Sequence, residues 1–194
     1  MSISNETLNK LFRESRSVSN FIDKEVPDSV LKEIYDLTKM GPTAYNAQPA
    51  RFVFIKSKEA KERLRPHLME GNIDKTMKAP VNVIVATDYS FYEMFKTTFP
   101  IADVKGIFLD NKELIKDTGF RNSSLSGGYF LLAARSLGLD VGPMSGFFNE
   151  TLDNDFFANT NIKSNFLVNL GYGINEEQYQ RLPRLDFTET SKIL

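Results

Sequence analysis

The 194-residue chain has no cysteine, no tryptophan and a single histidine, His67. Missing thiols exclude disulfides, thiolate metal sites and cysteine nucleophiles together. One imidazole excludes a zinc centre built mainly from His or Cys. A serine–histidine–acid arrangement would have to use His67, and no G-x-S-x-G elbow accompanies it. Within Arg65-Pro66-His67-Leu68 the expected place of His67 is the surface, near a helix end. Excess charge is lacking too. The net charge is -1, and no basic stripe is available for nucleic acid. Apolar runs are far too short to span a bilayer, and residues 1–10 carry no apolar signal-peptide core. The expectation is a cytoplasmic protein without nucleic-acid or membrane partners. No G-x-G-x-x-G follows a strand, and no Walker loop occurs, which argues against the common dinucleotide and nucleotide folds.

Hydrophobic residues make up 41% and charged residues 25%, the balance of a globular protein, here read as one domain over 1–194. Sixteen Phe and seven Tyr supply the aromatic mass of core and pocket lining. Residues 4–14 can form a short helix with Leu8, Leu11 and Phe12 on one face. Residues 27–40 form a helix. Pro27 suits its first turn, Val30, Leu31, Ile34 and Leu37 make its apolar stripe, and Gly41 and Pro42 stop it. A strand is expected at 51–57, a helix at 58–68 capped by Ser57, one or two helical turns at 72–78 and a central strand at 81–86. Residues 89–109, rich in aromatics, suggest a helical excursion over a pocket. A long helix covers about 112–137 and ends at Gly138. Its Gly127-Gly128 pair permits close approach, either to the sheet or to a partner helix. A short strand at 139–141, a helix at 149–158, a strand and turn at 165–173 and an extended tail around Pro183 follow. Helices and about four strands without strict alternation indicate an α+β layer fold.

Two stretches carry the chemistry. Gly41-Pro42-Thr43-Ala44-Tyr45-Asn46-Ala47-Gln48-Pro49-Ala50 is a polar, donor-rich loop between a helix and a strand, the usual place for a binding site. Arg16, Ser17, Ser19 and Arg184 could hold a phosphate, since arginine offers a permanently charged fork.

From about Leu11 to Leu185 the chain resembles the FMN-dependent nitroreductase family, nearest to its malonic semialdehyde reductase branch. The segments that carry the likeness are Gly41-Pro42-Thr43 with Gln48-Pro49-Ala50-Arg51, Gly71-Asn72-Ile73-Asp74-Lys75-Thr76, Phe120-Arg121-Asn122-Ser123-Ser124, Gly142-Pro143-Met144-Ser145-Gly146-Phe147 and Leu182-Pro183-Arg184-Leu185. The resemblance implies a nitroreductase-like fold, with a central mixed sheet of about four to five strands flanked by helices. It implies an obligate homodimer with FMN at the interface and the C-terminal segment exchanged with the partner subunit. Arg16, Ser17 and Arg184 match phosphate-holding positions. Ser19 stands where many relatives have a second basic residue. Asn72 and Lys75 match positions at the pyrimidine edge of the flavin, where an ammonium stabilises the reduced ring. Pro143, Met144, Ser145 and Gly146 match the turn whose backbone amide points to flavin N5. Pro42, Thr43, Ala44 and Asn46 match residues supplied by the partner. Lys75, Ser145 and Gly146 are thus the expected catalytic positions, and no metal is implied. NADH or NADPH would reduce the flavin, which would then reduce a small-molecule acceptor. The alternative is a flavin-binding or ligand-sensing homodimer without catalysis.

Overall fold

The computed structural model describes residues 2–174 and 180–194. A four-stranded sheet runs in the order β1 (Ala50–Ile55), β2 (Val81–Asp88), β4 (Ile162–Gly171), β3 (Asp140–Met144). All three strand pairings are antiparallel. The parallel component expected of a mixed sheet is confined, among the described residues, to one bridge between Ser17 and Val141.

The apolar run at 81–86 is central because both of its faces are covered. Side chains alternate along a strand. Val81, Val83 and Val85 therefore join a core with Leu31, Ile34, Phe130, Ala134 and Leu170. Ile84 and Ala86 join a second core with Leu64, Phe147, Leu152 and Leu167. The first core lies under α2 (Asp28–Thr38) and α6 (Lys112–Ser136), and the second under α3 (Lys58–Leu64) and α7 (Asn149–Phe156). Asn82 faces the second layer and donates to Thr76 O at 2.8 Å and to Asn169 Oδ1 at 2.9 Å.

Local chemistry sets the helix ends. Ser57 Oγ accepts from Ala60 N at 3.1 Å and caps α3, as its sequence position indicates. Gly138, at φ +84, ends α6 in the left-handed region. Gly41 is required for a different reason: its φ is not positive, and a Cβ there would stand 2.8 Å from the Tyr129 ring. On α2, Leu37 is exposed and Thr38 is buried instead, its Oγ1 bonded to Ile34 O at 2.7 Å. Thr38 sits four residues after Ile34 and seven after Leu31, the spacing of one helix face.

The two glycines of α6 part ways. A Cβ on Gly127 would lie 2.5 Å from the Phe166 ring, whereas nothing lies within 4 Å of one on Gly128. Gly127 therefore serves helix–sheet packing, and Gly128 faces outward. Gly127→Leu should lower stability by about 1–3 kcal/mol through overpacking, and Gly128→Leu by far less. Thermal melts of the two variants check this; equal losses would contradict it.

The excursion after β2 is helical in short pieces, at Phe91–Met94, at α5 (Phe95–Thr98) and at Lys105–Ile107. It carries a third core of Phe91, Phe95, Val104 and Phe108, which also buries Ala47. His67 is the clearest departure from expectation. It is 8% exposed, because both ring nitrogens find partners on α7. No helix among the described residues is long and apolar enough to cross a membrane.

Candidate functional site

At one end of β3, the chain after α1 (Asn5–Leu8) and its π-helical continuation, Asn9–Arg13, brings Arg16 and Ser17 against the sheet edge. Val18 N donates to Val141 O at 3.0 Å. A Cβ on Gly142 would stand 2.3 Å from Val18 O, so glycine lets the two backbones meet. Beside them a recess of about 380 Å³ is lined by Arg16, Ser17, Arg135, Arg181 and Arg184 and by no acidic residue. None of these four guanidinium groups has a salt bridge among the described residues. Arg16 donates to the carbonyls of Arg13, Glu14 and Ser15, and Arg181 to those of Phe12, Arg13 and Ser15. Desolvation, then the charges of Arg16 and Arg184, lowers the pKa of Arg181. Burial likewise lowers that of Arg135, against the opposing pull of Asp140. Four cations held together, with no salt-bridge partner among the described residues, form a cradle for an anion. Ser19 is exposed and does not line the recess.

At the other end of β3 is the turn Ser145–Phe147. It is stitched to the start of α4 (Glu70–Lys78): Met69 N donates to Gly146 O at 3.1 Å, and Asn72 Nδ2 donates to the same oxygen at 2.7 Å. A Cβ on Gly146 would fall 2.1 Å from Asn72 Nδ2, so glycine is what allows this contact. Lys75 lies one turn beyond Asn72, on the same helix face. It is half-buried and has no salt bridge among the described residues. Ser145 is exposed, and Met144 Sδ accepts from Thr76 Oγ1 at 3.6 Å.

The 41–50 loop is a third unit. Tyr45, Asn46 and Gln48 have φ of 51, 50 and 45. This region is costly for side chains other than Asn or Asp, so the loop must be held by its surroundings. Ala44 N donates to Asn122 Oδ1 at 2.8 Å, Gln48 N to Thr43 Oγ1 at 3.2 Å, and Asn46 Nδ2 to Thr98 O at 2.7 Å. Tyr45 packs edge-on against Phe95, Phe99 and Phe108. Thr43 lines a cavity of about 180 Å³ with Gly41, Gln48 and Arg51, and none of Arg16, Asn72, Lys75 or Ser145 lines it. Within one chain, then, the structure draws Arg16, Ser17 and Arg184 together and, separately, Asn72, Lys75 and Gly146, but it does not bring Pro42–Asn46 to either group.

Sequence reasoning missed Arg135, Arg181 and Asn122 as individual contributors. Arg135 in the last turn of a helix reads as an ordinary charge on the dipole, so only the fold reveals its neighbours.

A family model described as the nitroreductase family matches residues 12–172. A protein of Stenotrophomonas maltophilia (strain R551-3), provisionally named NADH dehydrogenase/NAD(P)H nitroreductase, is 55% identical over 186 residues, covering 96% of this chain and 95% of its own. Among solved structures, a Bacillus subtilis protein provisionally named a nitroreductase superposes with a TM-score of 0.86 at 22% identity, covering 98% of this chain and all (100%) of the other. A protein of Exiguobacterium sibiricum 255-15, provisionally named a nitroreductase and solved in complex with FMN, gives a TM-score of 0.84 at 18% identity, covering 100% of this chain and 99% of that one. The chain belongs to the nitroreductase family.

Proposed function

We propose that this chain is an FMN-dependent NAD(P)H oxidoreductase that works as a single-domain homodimer. One observation carries the reading: an arginine cradle and an amide–ammonium cluster stand at opposite ends of β3. Five residues of strand separate them by about 16 Å, at about 3.3 Å each. That arrangement fits a ligand with a terminal phosphate, a flexible linker and a polar ring edge. The residues present suit FMN in charge as well as spacing. The arginines would take the phosphate, and Asn72, Lys75 and the 144–146 backbone would meet the ring. When bound, FMN supplies a ring that accepts hydride from NAD(P)H and returns electrons to an acceptor. The protein's own part is positional and electrostatic. Lys75 places a positive charge where negative charge develops, and the Ser145–Gly146 turn offers backbone N–H groups.

The partner subunit completes the site in this reading. Pro42, Thr43, Ala44 and Asn46 would reach the flavin of the other protomer, which accounts for their separation from the first two clusters. Exposed Phe120, Leu125 and Tyr129 on α6, with Met40 just after α2, supply apolar surface for such an interface. The tail residues Leu182, Leu185 and Phe187 are also exposed. The outer edge of β1 has no strand partner among the described residues. We place there the part of the partner's tail that follows Arg184. For substrate, we favour a semialdehyde, with nitro compounds, quinones and enals as the other acceptors of this chemistry.

The purified protein should be yellow, sediment as a dimer and bleach on anaerobic addition of NADH or NADPH. A yellow protein that resists both nucleotides would point to flavin sensing; a colourless one without affinity for FMN would end the flavin reading.

A further inference from the structure

The one histidine is buried in a chain of polar contacts that no step above uses. His67 Nδ1 lies 2.9 Å from Thr151 Oγ1, and Nε2 lies 3.0 Å from Asp155 Oδ2. Arg63 Nε donates to the other carboxylate oxygen of Asp155 at 2.9 Å, and its Nη2 donates to Asp155 O at 2.7 Å. Burial pushes the Asp155 carboxyl up, but the bonds from His67 and Arg63 outweigh it and hold the group below its ordinary value. The ring also meets Phe156 edge-on, with the Arg63 guanidinium over the Phe156 ring at 4.2 Å.

The backbone of His67 is engaged as well. Its carbonyl accepts from Phe148 N at 2.8 Å. Next along, Leu68 bridges Phe147, and Met69 N donates to Gly146 O at 3.1 Å. His67 thus stands at the end of a short zipper that reaches Gly146, and its side chain ties that end to α7. Thr151 Oγ1 in turn donates to Phe148 O at 3.1 Å, which closes a loop of contacts around Phe148.

We propose that His67 is a positioning residue: by binding α7 through Thr151 and Asp155, it locks the Ser145–Phe148 turn against the start of α4. This rests on the reading of that turn, Asn72 and Lys75 as the flavin-facing groups. The lock sets the distance between the backbone of Gly146 and the side chains of Asn72 and Lys75. A loosened zipper would leave the fold standing and blur the geometry at the ring.

Two variants separate this role from a merely structural one. His67→Leu keeps bulk but loses both polar contacts; His67→Gln can still reach Asp155 and Thr151 with an amide. With the loss of a bond to a charged group, His67→Leu should raise the Kd for FMN about tenfold and slow flavin reduction by NADH about tenfold, and His67→Gln should stay within about threefold of the parent. In the flavin-free protein, the Phe148 amide should exchange faster in His67→Leu and not in His67→Gln. If His67→Leu does not fold, Thr151→Val takes its place, with smaller changes in the same direction. FMN affinity and reduction rate unchanged in a folded His67→Leu, or in Thr151→Val where that substitutes, would overturn the proposal. So would a His67→Gln variant as impaired as His67→Leu. Faster Phe148 exchange in a protein that never binds FMN would uphold the lock and sink the flavin reading alone.

Discussion

Arg184→Ala weakens FMN binding by about tenfold to hundredfold while riboflavin binding stays nearly constant, because the lost interaction is a charge-assisted contact to phosphate worth about 1.5–3 kcal/mol. Arg184 is the cleanest of the four arginines to remove. Arg16 and Arg181 hold backbone carbonyls between Phe12 and Ser15, and Arg135 donates to Arg16 O at 3.4 Å. Their loss would disturb the cradle itself. Among the described residues, Arg184 bonds only to Leu182 O and Pro183 O within its own exposed tail. Paired titrations of the two ligands decide the matter, and an equal loss for both would remove Arg184 from the phosphate site. Raised salt should mimic the substitution in part, since it screens exposed charge.

Lys75→Met slows hydride transfer to the bound flavin by about a hundredfold and changes FMN affinity much less, because a charge aimed at developing negative charge acts mainly on the transition state. The argument is geometric. Lys75 shares a helix face with Asn72, which is fastened to Gly146 O at 2.7 Å. It is half-buried, whereas Lys78 is exposed. Lys78→Met is therefore the matched control and should behave as the parent. Stopped-flow reduction of the three proteins at saturating NADH checks this. Equal rates in all three would show that Lys75 is a solvated helix charge.

Much of the fold was legible in the sequence for reasons that lie close along the chain. Ser57 as a cap, Gly138 as a stop and the buried run at 81–86 each depend on neighbours a few residues away. His67 was not legible, because its partners Thr151 and Asp155 lie 84 and 88 residues further on. Leu37 was misplaced because one residue of rotation moves the face of a helix by about 100°, and hydrophobicity alone did not choose between it and Thr38. The glycine pair of α6 left packing and interface equally open until Phe166 was seen beside Gly127 and nothing beside Gly128.

The candidate site divides along the same line. Residue types and their order along the chain determined which chemistry this protein lacks, with no thiol and one imidazole. They also marked Arg16 and Arg184 as phosphate-holding candidates, whereas Asn72, Lys75 and Gly146 were marked by the resemblance to the nitroreductase family. Only the tertiary structure gathered Arg135 and Arg181 around Arg16, set Asn72 on Gly146 and kept Pro42–Asn46 apart from both clusters. The physical reason is that caps, turns and periodicity act over a few residues, whereas the field of a charge and the reach of a hydrogen bond depend on distance in space. The chain brings residues 16 and 184 into one recess only by folding.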